Sequence, residues 1–185
     1  MFARILNRAR PEESRAIEIY SAIVAQARQP ALYETHRVPD TVDGRFEMIV
    51  LHLVLLFHRF GPDHAASKGL TQEVFDTFLA DMDQSLREMG VGDLGVPKRM
   101  KAMGQAFYGR LTTYGKLLAD GDQGELAEAL DRNLFPAGPA TPATGLAAYA
   151  FAAREALGAQ PVTAIAEGRL EFPDPATFAH EVVQA

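Results

Sequence analysis

The chain has 185 residues, of which 48% are apolar and 23% are charged, a balance typical of a globular protein with a substantial core. Its formal charge of −6 argues against direct binding to DNA, because neutralising phosphates requires a basic surface. Cysteine is absent, which excludes disulfides and cysteine metal clusters and is typical of a reducing compartment.

The first segment, MFARILNRAR (1–10), places three arginines around three apolar residues. It lacks the apolar region of about 7 to 15 residues that a secretory signal requires. Two interpretations remain open, the solvated start of a first helix or a short basic anchor on an anionic membrane surface. Apolar spacing then predicts a helix over about 12–28, followed by a connector over 29–41 that contains two prolines.

The most apolar stretch, GRFEMIVLHLVLLFHRF (44–60), is predicted to be a buried helix. Its apolar centre from Met48 to Phe57 would rise about 15 Å, roughly half the hydrocarbon thickness of a bilayer, so it cannot span a membrane. Its apolar side chains fall nearly all the way round the helix, as expected of the central helix of a bundle. His52 and His58 would point about 120° apart, unlike a helical metal-ligand pair, so we expect both to make local hydrogen bonds.

The rest of the chain reads as further helices. Periodicity predicts an amphipathic helix over about 70–89, a tight turn in VGDLGVP (91–97), a long helix over 96–118 and a shorter helix over 122–135. A proline-rich linker (135–145) precedes an alanine-rich helix (144–157) and a short helix (161–168). We therefore predict an all-α protein, a single-domain bundle (1–185) of about six to seven helices around the central one.

The sequence contains none of the common catalytic or metal-binding motifs. The chain has no phosphate-binding glycine loop, GxSxG or HExxH. The segment DMDQSLREMGVGD (81–93) lacks the glycine and glutamate that a calcium loop needs at its sixth and twelfth positions. These observations predict no enzyme activity, no cofactor and no metal. The alternative is a small-molecule binder or enzyme with a pocket between helices, using His36, His52 or Tyr108, which a deep closed cavity would favour.

A basic strip runs along the predicted helix 96–118 of this otherwise acidic chain. Lys98, Arg99 and Lys101 lie at its start, and Arg110 and Lys116 lie further along. Charged groups beside apolar helices suit a surface that binds another protein or a membrane. Equally, these cations could pair with the acidic face of the preceding helix, and the sequence leaves both interpretations open.

Three stretches together resemble the ubiquinol–cytochrome c chaperone family, whose mitochondrial members assemble the cytochrome bc1 complex. They are YETHRVPDTVDGRFEMIVLHLVLLFHRF (33–60), DMDQSLREMGVGDLGVPKRMKAMGQAFYGRL (81–111) and LAEALDRNLF (126–135). The second stretch is far more specific than helical periodicity demands. The resemblance implies an all-helical, non-enzymatic assembly factor in a compact form without the N-terminal extension expected of mitochondrial relatives.

The resemblance also implies partners and a location. Newly made cytochrome b is the implied client, the ribosome or a small partner chaperone is a further candidate, and the protein would act in the cytoplasm at the inner face of the inner membrane. The candidate partner-binding residues lie in the second stretch. They are Asp81, Asp83, Lys98, Arg99, Lys101, Tyr108 and Arg110.

Overall fold

The computed structural model describes residues 11–61, 68–136 and 143–178. Within these ranges the chain forms eight α helices, one 3₁₀ helix and no strand, which confirms the all-α prediction. The helices are α1 (Pro11–Ala27), α2 (Pro30–Glu34), α3 (Val42–Phe60), α4 (Lys68–Glu88), α5 (Val96–Asp120), α6 (Gln123–Leu134), α7 (Thr144–Ala159), α8 (Val162–Ala166) and the 3₁₀ helix Pro175–Phe178. The basic N-terminal segment and most of the proline-rich linker lie outside the described residues.

Helix α2 was not predicted and α3 starts earlier than predicted, each for a local reason. Helix α2 lies inside the predicted connector, where Pro30 begins a helix of five residues that is too short to show periodicity. Helix α3 begins two residues early, because Oγ1 of Thr41 accepts a hydrogen bond from the Gly44 amide at 3.1 Å, as an N-cap does. A side chain at Gly44 would overlap the carbonyl oxygen of Pro39, so this close approach requires glycine.

The chain divides into two compact units. Among the described residues, unit 1 contains 11–22, 60–61, 68–109 and 161–170, and unit 2 contains 23–59, 110–136, 143–160 and 171–178. Helices α1 and α5 each contribute to both. The single-domain description stays a prediction.

Helix α3 forms the centre of the unit 2 core. Leu51 and Leu55 have 0% of their surface exposed, which confirms the prediction of a buried central helix. Helix α6 packs on α7, and the 3₁₀ helix packs on α7 and α2. No helix in the described ranges combines the length and apolar character that crossing a bilayer requires.

The core of unit 1 is aromatic. Helix α4 buries Val74, Phe78, Met82 and Leu86, which recur every four residues and so lie along one side of the helix. Phe78 lies 5.7 Å from the ring of Phe107 on α5, measured between ring centroids. This contact packs α4 against α5 within unit 1.

Candidate partner-binding surface

The turn between α4 and α5 (Met89–Gly95, hereafter the α4–α5 turn) is fixed by backbone hydrogen bonds. Gly90 adopts a positive φ of 81° and ends α4, with the amide of Val91 bonded to the carbonyl of Leu86 and that of Gly90 bonded to Arg87. This pair of bonds is the Schellman arrangement of helix ends. The Gly95 amide then donates to the Gly92 carbonyl at 2.7 Å and closes a β-turn.

That β-turn displays a leucine to solvent. Asp93 and Leu94 are its two central residues, and Leu94 is 97% exposed. Asp93 is held in place because its carboxylate accepts a hydrogen bond from the Arg87 guanidinium at 2.8 Å. Met89, at the start of the same turn, is 48% exposed. The turn therefore exposes the side chains of Met89 and Leu94 to solvent on a backbone that hydrogen bonds hold in place.

The basic strip begins directly after this turn. Lys98, Arg99 and Lys101 are exposed in the first two turns of α5, where no acidic side chain is present to match the positive end of the helix dipole. None of the ion pairs found among the described residues involves these three cations. Pairing with the acidic face of α4, the alternative that the sequence left open, is therefore not seen in the described part of the chain.

An aromatic row leads from the unit 1 core to the surface of α5. The ring of Phe75 lies 4.7 Å from that of Phe107 and 5.7 Å from that of Tyr108. Tyr108 is 57% exposed, although its ring packs against both phenylalanines. Because Tyr108 follows Lys101 by seven residues, the two lie within about 20° of each other around α5 and about 10 Å apart along its axis.

The two acidic candidates on α4 have partners inside unit 1. Asp81 accepts a hydrogen bond from the hydroxyl of buried Tyr20 at 2.8 Å. Asp83 pairs with Arg87 one turn later, and this interaction lowers the pKa of Asp83. Each of these carboxylates therefore has a partner within unit 1, and its role in binding another protein stays a prediction.

Arg110 is separated from the exposed strip by its environment. Its guanidinium makes two hydrogen bonds to the carboxylate of Glu47, the shorter at 2.7 Å, and the Glu47 side chain is only 8% exposed. Lys116, which the sequence also assigned to the strip, pairs with Asp120 one turn further on. Of the predicted strip, Lys98, Arg99 and Lys101 (hereafter the basic strip) lie outside the ion pairs of the described residues, whereas Arg110 and Lys116 have acidic partners. A role of Arg110 in binding a partner stays a prediction.

The two histidines proposed for a small-molecule pocket make structural hydrogen bonds. Nε2 of His36 lies 2.8 Å from the carbonyl oxygen of Pro175, and His52 is fully buried with both ring nitrogens in hydrogen bonds. The latter confirms local hydrogen bonding for His52. Neither histidine lines an open cavity of about 360 Å³ that described residues of unit 2 form.

The cations that line this cavity cap helix ends. Arg59 donates to the carbonyls of Leu157 and Gln160 at the end of α7, and Arg154 donates to that of Leu118 near the end of α5. Burial and the charge of Arg154 lower the pKa of His58 on the same cavity wall. Among the described residues, no group of three or more histidine and carboxylate side chains is placed to hold a metal ion.

Sequence reasoning missed the exposure of Leu94, and it placed Met89 inside the predicted helix, whereas α4 ends at Glu88 and Met89 is 48% exposed. The available signal for Leu94 was its position between Gly92 and Gly95, because glycines two or three residues apart mark a tight turn whose central residues face solvent. Helical periodicity cannot report on such a residue, since it lies outside both helices.

Comparison with known proteins adds independent information. The profile of the ubiquinol-cytochrome C chaperone family matches residues 34–172. Over 120 residues, the chain is 25% identical to the ubiquinol-cytochrome-c reductase complex assembly factor 1 of Xenopus laevis and 26% identical to those of Mus musculus and Homo sapiens. The match covers 65% of this chain, 60% of the Xenopus protein and 40% of each mammalian protein.

A solved structure agrees with the sequence comparisons. The crystal structure of the Cbp3 homolog from Brucella abortus superposes with a TM-score of 0.81 at 41% sequence identity. The superposition covers 95% of this chain and 98% of the Brucella chain. Since the family profile spans α3 to α7 and reaches the turn and strip described above, the chain belongs to the ubiquinol-cytochrome C chaperone family.

Proposed function

We propose that this chain is a non-enzymatic assembly factor for ubiquinol–cytochrome c reductase, the cytochrome bc1 complex, and that it assists newly made cytochrome b. The observation that carries the proposal is the family match over residues 34–172, supported by 41% identity to the Cbp3 homolog across nearly the whole fold. The curated relatives are named as assembly factors of this complex.

The surface of unit 1 supports a role in holding an apolar client. Tyr108 is more than half exposed and is backed by Phe75 and Phe107, so an aromatic face is held rigidly at the surface. Aromatic side chains supply contact area at a low entropic cost, and rigid backing reduces that cost further. A membrane protein such as cytochrome b exposes apolar helices before its cofactors and partners arrive, and such helices need this kind of temporary contact.

The place of action follows from the client. Cytochrome b is a membrane protein, so we place the assembly factor in the cytoplasm at the inner face of the inner membrane. A ribosome or a small second chaperone at this site would be an additional partner.

Deletion of the gene in its respiring host tests the assignment. We expect loss of ubiquinol–cytochrome c reductase activity and of the haem b absorbance of the complex, both restored by the wild-type gene. Normal levels of assembled complex in the deletion strain would contradict the proposal.

Affinity purification tests the client and the aromatic face. Cytochrome b should co-purify with the tagged wild-type protein and be reduced by Tyr108→Ala. Val42→Ala is the control, because it truncates another exposed apolar side chain, 53% exposed at the start of α3. Equal recovery of cytochrome b with both variants would exclude the Tyr108 face as the client site.

A further inference from the structure

We propose that the α4–α5 turn and the basic strip dock this protein on an anionic phospholipid surface, with Leu94 inserted below the headgroups. The inference goes beyond the assembly role and does not depend on which client the protein holds. Three observations carry it: the exposure of Leu94, the hydrogen-bonded turn beneath it, and three neighbouring cations that form no ion pair within the described part of the chain.

Leu94 has the geometry of an inserting residue. At 97% exposure it contacts almost nothing of its own protein, so it forms a protrusion. Single exposed leucines are common on protein surfaces, but turn centres ordinarily carry polar residues or glycine. The Schellman bonds and the Gly92–Gly95 hydrogen bond hold this turn in place, so insertion would require little ordering of the backbone.

The cations are positioned to meet phosphates as Leu94 inserts. Lys98 follows Leu94 by four residues, so their Cα atoms are at most about 14 Å apart. Side chains on a helix tilt toward its N-terminus, which brings the long side chains of the strip toward the turn. The side chains of the strip, Lys98, Arg99 and Lys101, span about 160° around the helix axis. This spread suits a contact in which the N-terminal end of α5, and not one side of the helix, faces the lipid surface.

Local charge favours an anionic surface although the whole chain is acidic. Residues 87–101 carry four cations against two carboxylates, a local charge of +2 within a chain of −6. One of the two carboxylates, Asp93, is bridged to Arg87. The positive end of the α5 dipole adds to the attraction for phosphate.

A lipid surface fits these features better than a protein partner. A protein would need a socket for a protruding leucine, and lysine is depleted in the cores of protein interfaces. A bilayer accepts an isolated apolar tip, and each lysine or arginine near an anionic surface strengthens binding about fivefold. Three cations therefore contribute on the order of a hundredfold, which gives a weak and reversible attachment.

Vesicle flotation tests the proposal with purified full-length protein. We expect binding to phosphatidylcholine vesicles that contain phosphatidylglycerol, and none to phosphatidylcholine alone. Raising the salt from about 0.1 M to about 1 M should release the protein, because the screening length falls from about 10 Å to about 3 Å. Equal binding to neutral vesicles, or no binding to either, would overturn the proposal.

Charge variants assign the contact to the strip. The triple variant Lys98→Glu, Arg99→Glu, Lys101→Glu should bind at least a hundredfold more weakly. The triple variant Arg45→Glu, Arg132→Glu, Arg169→Glu is the matched control, since it makes the same charge change at exposed cations elsewhere and should lose far less. Equal loss in both triple variants would show that only net charge matters and would overturn the site.

The absence of tryptophan from this chain allows a direct probe of insertion. Leu94→Trp creates a single fluorophore whose emission should shift to the blue with anionic vesicles and be quenched by lipids brominated on their acyl chains. Val42→Trp, at another exposed apolar position, should show neither change. An unshifted Leu94→Trp on bound vesicles would contradict insertion, even if the charge variants proved hard to fold.

Two further outcomes would also contradict the proposal. Replacing Arg4, Arg8 and Arg10 by glutamine should leave most vesicle binding intact, and loss of binding in that variant alone would assign attachment to the N-terminus. If the Lys98/Arg99/Lys101 variant bound vesicles normally but no longer recovered cytochrome b, the strip would be a protein-binding surface. Failure of lipid binding with normal bc1 assembly would leave the proposed function standing.

Discussion

The phenolic oxygen of Tyr149 lies 2.6 Å from Nε2 of His52, an imidazole with none of its surface exposed. Nδ1 of the same ring lies 2.7 Å from the carbonyl oxygen of Met48, which can only accept, so Nδ1 carries the proton. Nε2 of the neutral ring therefore accepts from the tyrosine hydroxyl. That hydroxyl in turn accepts from the Gln26 side-chain amide at 3.0 Å. The chain of hydrogen bonds joins α1, α3 and α7 within unit 2 and leaves the histidine fully paired.

Removing the tyrosine hydroxyl should destabilise the protein. In Tyr149→Phe, Nε2 of His52 loses its donor in a site that water does not reach, and such an unpaired group costs about 1–3 kcal/mol. Urea unfolding measures the loss. Tyr108→Phe should change the free energy of unfolding by no more than about 0.5 kcal/mol, as is usual for exposed positions. Similar values for the two variants would show that the buried network adds little.

Acid should weaken unit 2 through the same histidine. Burial lowers the pKa of His52 from 6.5 to about 4, against the opposing effect of its bond to Met48. The unfolded chain therefore takes up the proton first. The stabilising contribution is complete above pH 6.5 and is lost as the pH falls toward 4, by up to about 3 kcal/mol. Unfolding free energies measured across this range should fall with pH.

Other groups titrate in the same region and must be separated from His52. His58, whose pKa is also lowered, acts in the same direction, whereas Glu47, whose pKa is raised by burial, acts in the opposite one. NMR titration of the His52 ring resolves its own contribution. Protonation of that ring near pH 6.5 in the folded protein would contradict the prediction.

Arg110 should be required for stability. Arg110→Ala leaves the nearly buried carboxylate of Glu47 without its cation, and breaking a buried pair in this way costs about 3–5 kcal/mol. Lys116→Ala on the same helix is the control, because the exposed pair of Lys116 with Asp120 is worth about 0–1 kcal/mol. Urea unfolding of both variants measures the difference. A stable Arg110→Ala protein that recovered less of the partner would instead support the predicted role of Arg110 in partner binding.

Two glycines of α7 should respond to alanine with opposite signs. A Cβ at Gly145 would lie 2.6 Å from the carbonyl oxygen of Phe178 and 3.2 Å from Nδ1 of His36, so Gly145→Ala should displace the 3₁₀ helix and lower stability. A Cβ at Gly158 meets nothing within 4 Å, so Gly158→Ala should stabilise α7 by about 0.5–1 kcal/mol. Thermal unfolding compares the two. Higher stability of Gly145→Ala would show that Phe178 and His36 can move away from the new Cβ at little energetic cost.

Reversing the basic strip should leave the fold intact. Glutamates at positions 98, 99 and 101 would match the positive end of the α5 dipole, where each acid is worth a few tenths of a kcal/mol or more. The melting temperature of the triple variant should therefore equal or slightly exceed that of the wild type. A sharp drop would identify the strip as an internal ion-pair partner.

The sequence by itself determined the helical class and the position of most helices. Apolar residues recurring every three or four positions leave little choice of structure. The apolar side chains of α3 fall nearly all the way round the helix and so required burial on most sides, in agreement with the full burial of Leu51 and Leu55. Family membership was also readable, because the stretch 81–111 is more specific than any helix requires. These features depend on residues close together in the chain, so they can be read from sequence patterns alone.

Only the tertiary structure decided which charged and polar residues are available to a partner. Arg110 and Lys101 look equivalent in the sequence, yet one is paired with a buried glutamate and the other is exposed without an acid among the described ion pairs. Tyr149, the hydrogen-bond donor to His52, lies 97 residues away on α7, and no local sequence pattern predicts this pairing. Hydrogen bonds and ion pairs depend on side chains brought together by packing, and that information appears only when distant segments meet.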